Sequence, residues 1–249
     1  MSTTADRQMG THDTPDMGGV NRSARMPRGT AIARVTRTRE QARRSYDRLA
    51  RWYDRIAGGA EDRYALEGLA RLDVQPSEHV LEVGFGTGRT LLRLARQVGP
   101  DGHVDGIDLS SGMCSVARQR AERDGLAGRI SIRRGDATQL PYQDETFDAL
   151  FMSFTLDLFD TPEIPRVVEE CYRVLRPDGR ICVVSLAARE PRTLMTRLYL
   201  RAHAWLPQLV DCRPIRSADA LHQAGFTIDG CEHRAMWGIP VDIVVAHRT

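Results

Sequence analysis

The chain has 249 residues, 41% hydrophobic and 27% charged, with a formal net charge of only +2; this suits one large α/β domain or two small ones and gives no electrostatic reason to expect nucleic acid. All 35 basic residues are arginine, which excludes chemistry through a lysine Schiff base or a lysine general base. Cys114, Cys171, Cys182, Cys212 and Cys231 are odd in number and form no CxxC pair, so reduced thiols are expected rather than a disulfide framework, and no metal site.

Residues 1–30 are rich in Ser, Thr, Gly, Asp and Met. They bury too little apolar surface to offset ordering entropy and read as a disordered tail. Residues 31–57 read as a basic, partly amphipathic helix, with Arg34, Arg37, Arg43, Arg48 and Arg55 among Ile32, Val35, Leu49, Trp52, Tyr53 and Ile56. Helical spacing resumes over 61–74 and breaks at Gln75-Pro76-Ser77, so residues 31–78 are expected to be an N-terminal helical cap. From residue 79 to 249 lies the core. Its strands are expected near 79–83, 103–108, 130–134, 147–153 and 180–186, with helices near 88–98, 111–124 and 162–175. Such alternation argues an α/β fold, a parallel sheet with helices on both faces. Residues 191–209 place Leu194, Met195, Leu198, Trp205 and Leu206 at helical spacing, within a lid-like helical insertion near 190–216. A helix near 217–224 and strands over 226–233 and 241–247 close the chain.

The stretch VLEVGFGTG (80–88) sets Gly84, Gly86 and Gly88 between a strand and a helix. Glycine there permits a tight turn and lets a ligand touch the backbone. A dinucleotide fingerprint wants its third glycine at position 89, which is Arg89. An adenosyl ligand without phosphates fits better. Asp108, at the end of the second strand, can accept from ribose hydroxyls, and Asp136, after the third, from an adenine amine. Ser153 completes the ordered set. Glu82, just before the loop, either orients the loop or meets the ligand.

The chain resembles the class I S-adenosylmethionine-dependent methyltransferases, most of all the ubiquinone/menaquinone-biosynthesis C-methyltransferase group. The carriers are YDRLARWYD (46–54), VLEVGFGTG (80–88), GIDLSSGM (106–113), GDATQLPYQDETFDAL (135–150), SFTLDLF (153–159) and YRVLRPDGR (172–180). The resemblance implies a Rossmann-like seven-stranded sheet of order 3-2-1-4-5-7-6 with strand 7 antiparallel, and S-adenosylmethionine as cofactor. It implies that Gly84, Gly86, Thr87 and Gly88 border the methionine part. Leu109 and Met113 would pack near the adenosine, Asp136 and Ala137 meet the adenine, Ser153 line the site, and Tyr53 close over it. Met113 reads equally as core packing. The chain departs from the quinone enzymes after the YD element, where it reads RIAGGAEDRY, and at its end, WGIPVDIVVAHRT.

A sulfonium leaves without a proton, so the protein mainly aligns the nucleophile at ~3–3.5 Å and excludes water. A base is needed only when the acceptor arrives protonated. Asp157 leads the candidates, followed by His203, Asp160 and His233. The acceptor is expected to be a small or lipid-like molecule, a quinol or a phospholipid amine, drawn by basic and apolar surface. The helix over 191–209 reads as a lid, core packing or a homodimer face. A cytoplasmic enzyme is expected, with peripheral membrane contact where the acceptor is lipidic; no apolar run of about 18 residues or secretory h-region is seen. Two other functions stay open: a non-catalytic S-adenosylmethionine-binding subunit that needs a partner, and a nicotinamide-dependent oxidoreductase.

Overall fold

The computed structural model describes residues 58–189 and 212–249, together with Glu40, Asp47 and Tyr199. The expected tail, most of the basic helix with Tyr53, and the insertion with His203 up to residue 211 lie outside the described residues.

Helix α1 (Gly58–Leu72) comes first. Its buried Tyr64, Ala65, Leu69 and Leu72 recur at helical spacing and seat one stripe on the sheet. Then follow β1 (His79–Val83), α2 (Arg89–Gln97), β2 (His103–Asp108), α3 (Ser111–Arg123), β3 (Ile130–Arg134) and β4 (Phe147–Ser153). After α4 (Ile164–Val174) and β5 (Leu175–Leu186), the chain ends in α5 (Ser217–Gln223), β6 (Phe226–Met236) and β7 (Ile239–Arg248). The strands form one sheet of order β3-β2-β1-β4-β5-β7-β6. The neighbours from β3 to β5 pair in parallel, whereas β7 runs antiparallel between β5 and β6. Fold class and strand order are those expected.

Alternation along the strands fills two cores. Val80, Val104, Ala149, Phe151 and Val184 face α1, α2 and α3. Leu81, Val83, Ile107, Leu150, Met152 and Val183 face α4 and α5. A strand buried on both faces reads as a continuous apolar run, as β4 does. The one charged residue inside β1 is Glu82, only 3% exposed, and its burial therefore calls for an explanation.

The strand β5 begins earlier than expected. Leu175 already pairs with Phe147, and the register then jumps so that Arg180 pairs with Ala149. The turn over Pro177-Asp178-Gly179, with Asp178 at φ 62°, is thus an irregularity within the ladder rather than a loop before it. Arg180 then fastens the frame: its guanidinium donates to Leu72 O and Asp73 O, each at 2.6 Å, and to Glu78 at 2.8 Å. This caps orphan carbonyls at the end of α1. Asp148 is also structural, accepting from the His79 amide at 2.8 Å and pairing with Arg176. Among the described residues no helix is long and apolar enough to cross a membrane.

Candidate active site

The parallel register sets the ends of three strands side by side: Val83 lies beside Ile107, and Glu82 beside Phe151. The loops after β1, β2 and β4 therefore leave the same edge of the sheet, where open α/β sheets bind ligands.

The loop after β1 is shaped by its glycines. Gly84 has φ 72°, and a Cβ there would lie 2.3 Å from Oγ1 and Cγ2 of Thr155. Thr155, in the loop after β4, donates to Ser153 O at 3.0 Å and Gly84 O at 3.3 Å, so it clamps the two loops together. Gly86 differs. Its φ is 54°, yet a Cβ there would meet nothing within 4 Å among the described residues. The bare backbone at Gly84 thus serves packing, while that at Gly86 borders open space. Gly88, at φ 80°, leads directly into α2. Thr87 is buried, and its carbonyl and hydroxyl oxygens accept from Arg120 of α3 at 3.2 and 3.0 Å.

Asp108 ends β2 and faces this loop. Its Oδ2 accepts from the Gly86 amide at 3.0 Å, and its Oδ1 from the Ser110 amide at 2.8 Å. Burial, offset by those amides, pushes its carboxyl up to about 6, with Asp47 adding to the rise. Glu82 lies behind. Burial and the nearby Asp108 push its carboxyl well above the usual range, and its buried Oε2 has no hydrogen-bond partner among the described residues. Two adjacent acids whose charge is disfavoured, at the loop edge of the sheet, are a mark of a ligand site.

On the far side, Asp136 Oδ1 accepts from the Thr138 amide and hydroxyl, both at 2.9 Å, which fixes the turn after β3. Ala137 is buried against Leu81 and Ile107 of the core. Leu109 is part-exposed beside Asp108, whereas Met113 is 2% exposed and packs in the core. Ser153 sits at the mouth, part-exposed at the end of β4.

Of the residues considered as bases, Asp157 is fully buried in a short turn of 3-10 helix, and its Oδ2 accepts from the Leu186 amide at 3.1 Å. His233 lies away from the loops, on β6, with its Nδ1 2.9 Å from Asp242. Cys231 joins these two within 4.8 Å, but Arg189 already supplies the cation there, 2.7 Å from Asp242. Sequence reasoning missed Thr155, Arg120 and Asp47. Asp47 belongs to the stretch YDRLARWYD (46–54), but nothing local signals that it reaches α3, where its Oδ1 accepts from Ser110 Oγ at 2.6 Å.

Residues 80–179 match the model of a methyltransferase domain, and they contain all three of these loops. A demethylmenaquinone methyltransferase of Symbiobacterium thermophilum is 35% identical over 156 residues, 61% of this chain and 61% of that protein. The chain spans about three fifths of the length of the curated relatives it matches. Among solved structures, the cyclase SpnF superposes with a TM-score of 0.69 at 23% identity, over 88% of this chain and 99% of that one. An S-adenosylmethionine-dependent methyltransferase from Aquifex aeolicus gives 0.55 at 21% identity, over 74% and 89%. A cyclase on this frame shows that the fold alone does not choose the reaction.

Proposed function

We propose that this protein is an S-adenosylmethionine-dependent methyltransferase whose acceptor is a small, quinol-like molecule. The observation that carries the reading is the carboxylate of Asp108 held by the Gly86 amide, beside a loop whose open side at Gly86 meets no described residue within 4 Å. A carboxylate so placed accepts from a ribose diol, as in other sheets of this kind. Glu82 supports it: a buried oxygen without a partner is costly unless a donor arrives, and an amino-acid ammonium is such a donor. Gly84, Gly86, Thr87 and Gly88 would border the methionine part, Asp136 and Ala137 the adenine, and Leu109, Met113 and Ser153 the remaining wall.

When bound, S-adenosylmethionine supplies a methyl group on a sulfonium. The residues of this chain then have two duties, to hold the donor in one pose and to keep water out. Asp157, buried and holding the Leu186 amide, is assigned to positioning the loop after β4 rather than to taking a proton. The quinol-like acceptor is supported by the relatives named demethylmenaquinone methyltransferase.

A nicotinamide cofactor is disfavoured by Arg89. It stands where the dinucleotide fingerprint wants glycine, and its guanidinium is 2.6 Å from Asp62 of α1, a carboxylate facing the loop where a pyrophosphate would need positive charge. The test is calorimetry with S-adenosylhomocysteine against NAD, followed by labelled methyl transfer to demethylated quinols, phospholipid amines and phenols. Binding of the first ligand only, with label in the quinol, is expected. NAD binding alone overturns the reading, and label in the amine alone overturns the acceptor.

A further inference from the structure

We infer that Asp47 is a positioning residue: by holding Ser110 at the start of α3 it keeps the Asp108 carboxylate in the pose that receives the cofactor ribose. The inference rests on the functional reading above.

One oxygen of Asp47 takes three donors from consecutive residues. Ser110 Oγ lies at 2.6 Å, the Gly112 amide at 2.9 Å and Ser111 Oγ at 3.3 Å. All three stand at the beginning of α3, where unsatisfied amides and the helix dipole favour an anion. Helix capping alone does not require this contact, because Ser110 already caps α3 by accepting from the Met113 amide at 3.1 Å. What Asp47 adds is control of Ser110 itself. The Ser110 amide donates to Asp108 Oδ1 at 2.8 Å, while its hydroxyl donates to Asp47. A continuous path therefore runs from Asp47 through Ser110 to Asp108 and on to the Gly86 amide.

The two carboxylates also repel. Asp47 makes the Asp108 carboxyl harder to ionise, and Asp108 in turn raises the neighbouring Glu82 carboxyl of β1 and the Cys114 thiol of α3, which stays neutral. Asp47 thus both orients Asp108 and makes its ionisation harder.

The test is calorimetric titration of the full chain with S-adenosylhomocysteine across acid to alkaline pH, on the wild type, Asp47→Ala and Asp47→Asn, each checked for folding by circular dichroism. Asp47→Ala is expected to bind about fivefold more weakly above neutral pH, the factor set by loss of a helix-capping acceptor. Asp47→Asn keeps an acceptor but loses the charge, so its affinity should persist to lower pH than in the wild type. If Asp47→Ala does not fold, the pH profile of Asp47→Asn decides. Affinity and pH profile equal to the wild type in the folded variants overturn the inference. A wild type that binds no S-adenosylhomocysteine overturns the functional reading instead.

Discussion

The amide of Gly86 donates to Oδ2 of Asp108 across 3.0 Å, tying the loop after β1 to the end of β2. Asp108 is thereby held in place before any ligand arrives, with its other oxygen on the Ser110 amide. Pre-organisation of this kind lowers the ordering cost of binding.

On the proposed function, removing that carboxylate should cost the charge-assisted bonds it would make to the ribose. Asp108→Ala is expected to weaken S-adenosylhomocysteine binding roughly ten- to a hundredfold. Calorimetry at neutral pH measures it, and an unchanged affinity in the folded variant removes Asp108 from the site.

The same residue makes stability depend on pH. Its carboxyl titrates at about 6 in the folded protein against an ordinary 3.8, so the folded state holds a proton that the unfolded state has released between those values. The penalty is full above about 6 and disappears as the pH falls toward 3.8. Glu82, raised for the same reason, acts in the same direction. Asp108→Asn should therefore melt higher than the wild type at neutral pH, and the gain should vanish under acid. Parallel melting curves without ligand check this; an equal gain at every pH contradicts it.

The two glycines of the loop should respond differently to alanine. At Gly84 the new Cβ meets Thr155 at 2.3 Å and the backbone is left-handed, so Gly84→Ala is expected to destabilise the fold by more than the ~1–2 kcal/mol of left-handed strain alone. At Gly86 the Cβ enters open space. Gly86→Ala should cost only that ~1–2 kcal/mol but lose most of its cofactor affinity. Denaturant unfolding and ligand titration on both variants separate the effects.

Asp157→Ala leaves the buried amide of Leu186 without its acceptor. The expected cost is about 1–3 kcal/mol of stability. Asp157→Asn keeps an oxygen for that amide and should retain methyl transfer; abolished turnover in a folded Asp157→Asn protein would restore the residue as a base.

Much of the frame was legible along the chain. Strands β1 to β4 lie where apolar runs bounded by turn residues put them, and Asp108 and Asp136 stand at strand ends as their positions implied. β5 was read too short, because Pro177-Asp178-Gly179 has the composition of a turn and only the partner strand shows that pairing resumes across it. Asp157 read as the leading candidate base after the fourth strand; its burial depends on β5 lying beneath it. The glycines looked alike in sequence, yet Gly84 is crowded by Thr155 and Gly86 is not.

By itself the sequence determined the elements, their alternation and the chemistry on offer, because hydrophobic period, turn residues and residue types are local properties that travel with the chain. Its lack of lysine settled one class of mechanism without any structure. Only the tertiary structure decided which side chains meet. The contacts of Asp47 with Ser110, Thr155 with Gly84 and Asp157 with Leu186 join residues far apart in sequence. Such contacts follow from strand order and register, where a shift of one residue turns each side chain to the opposite face.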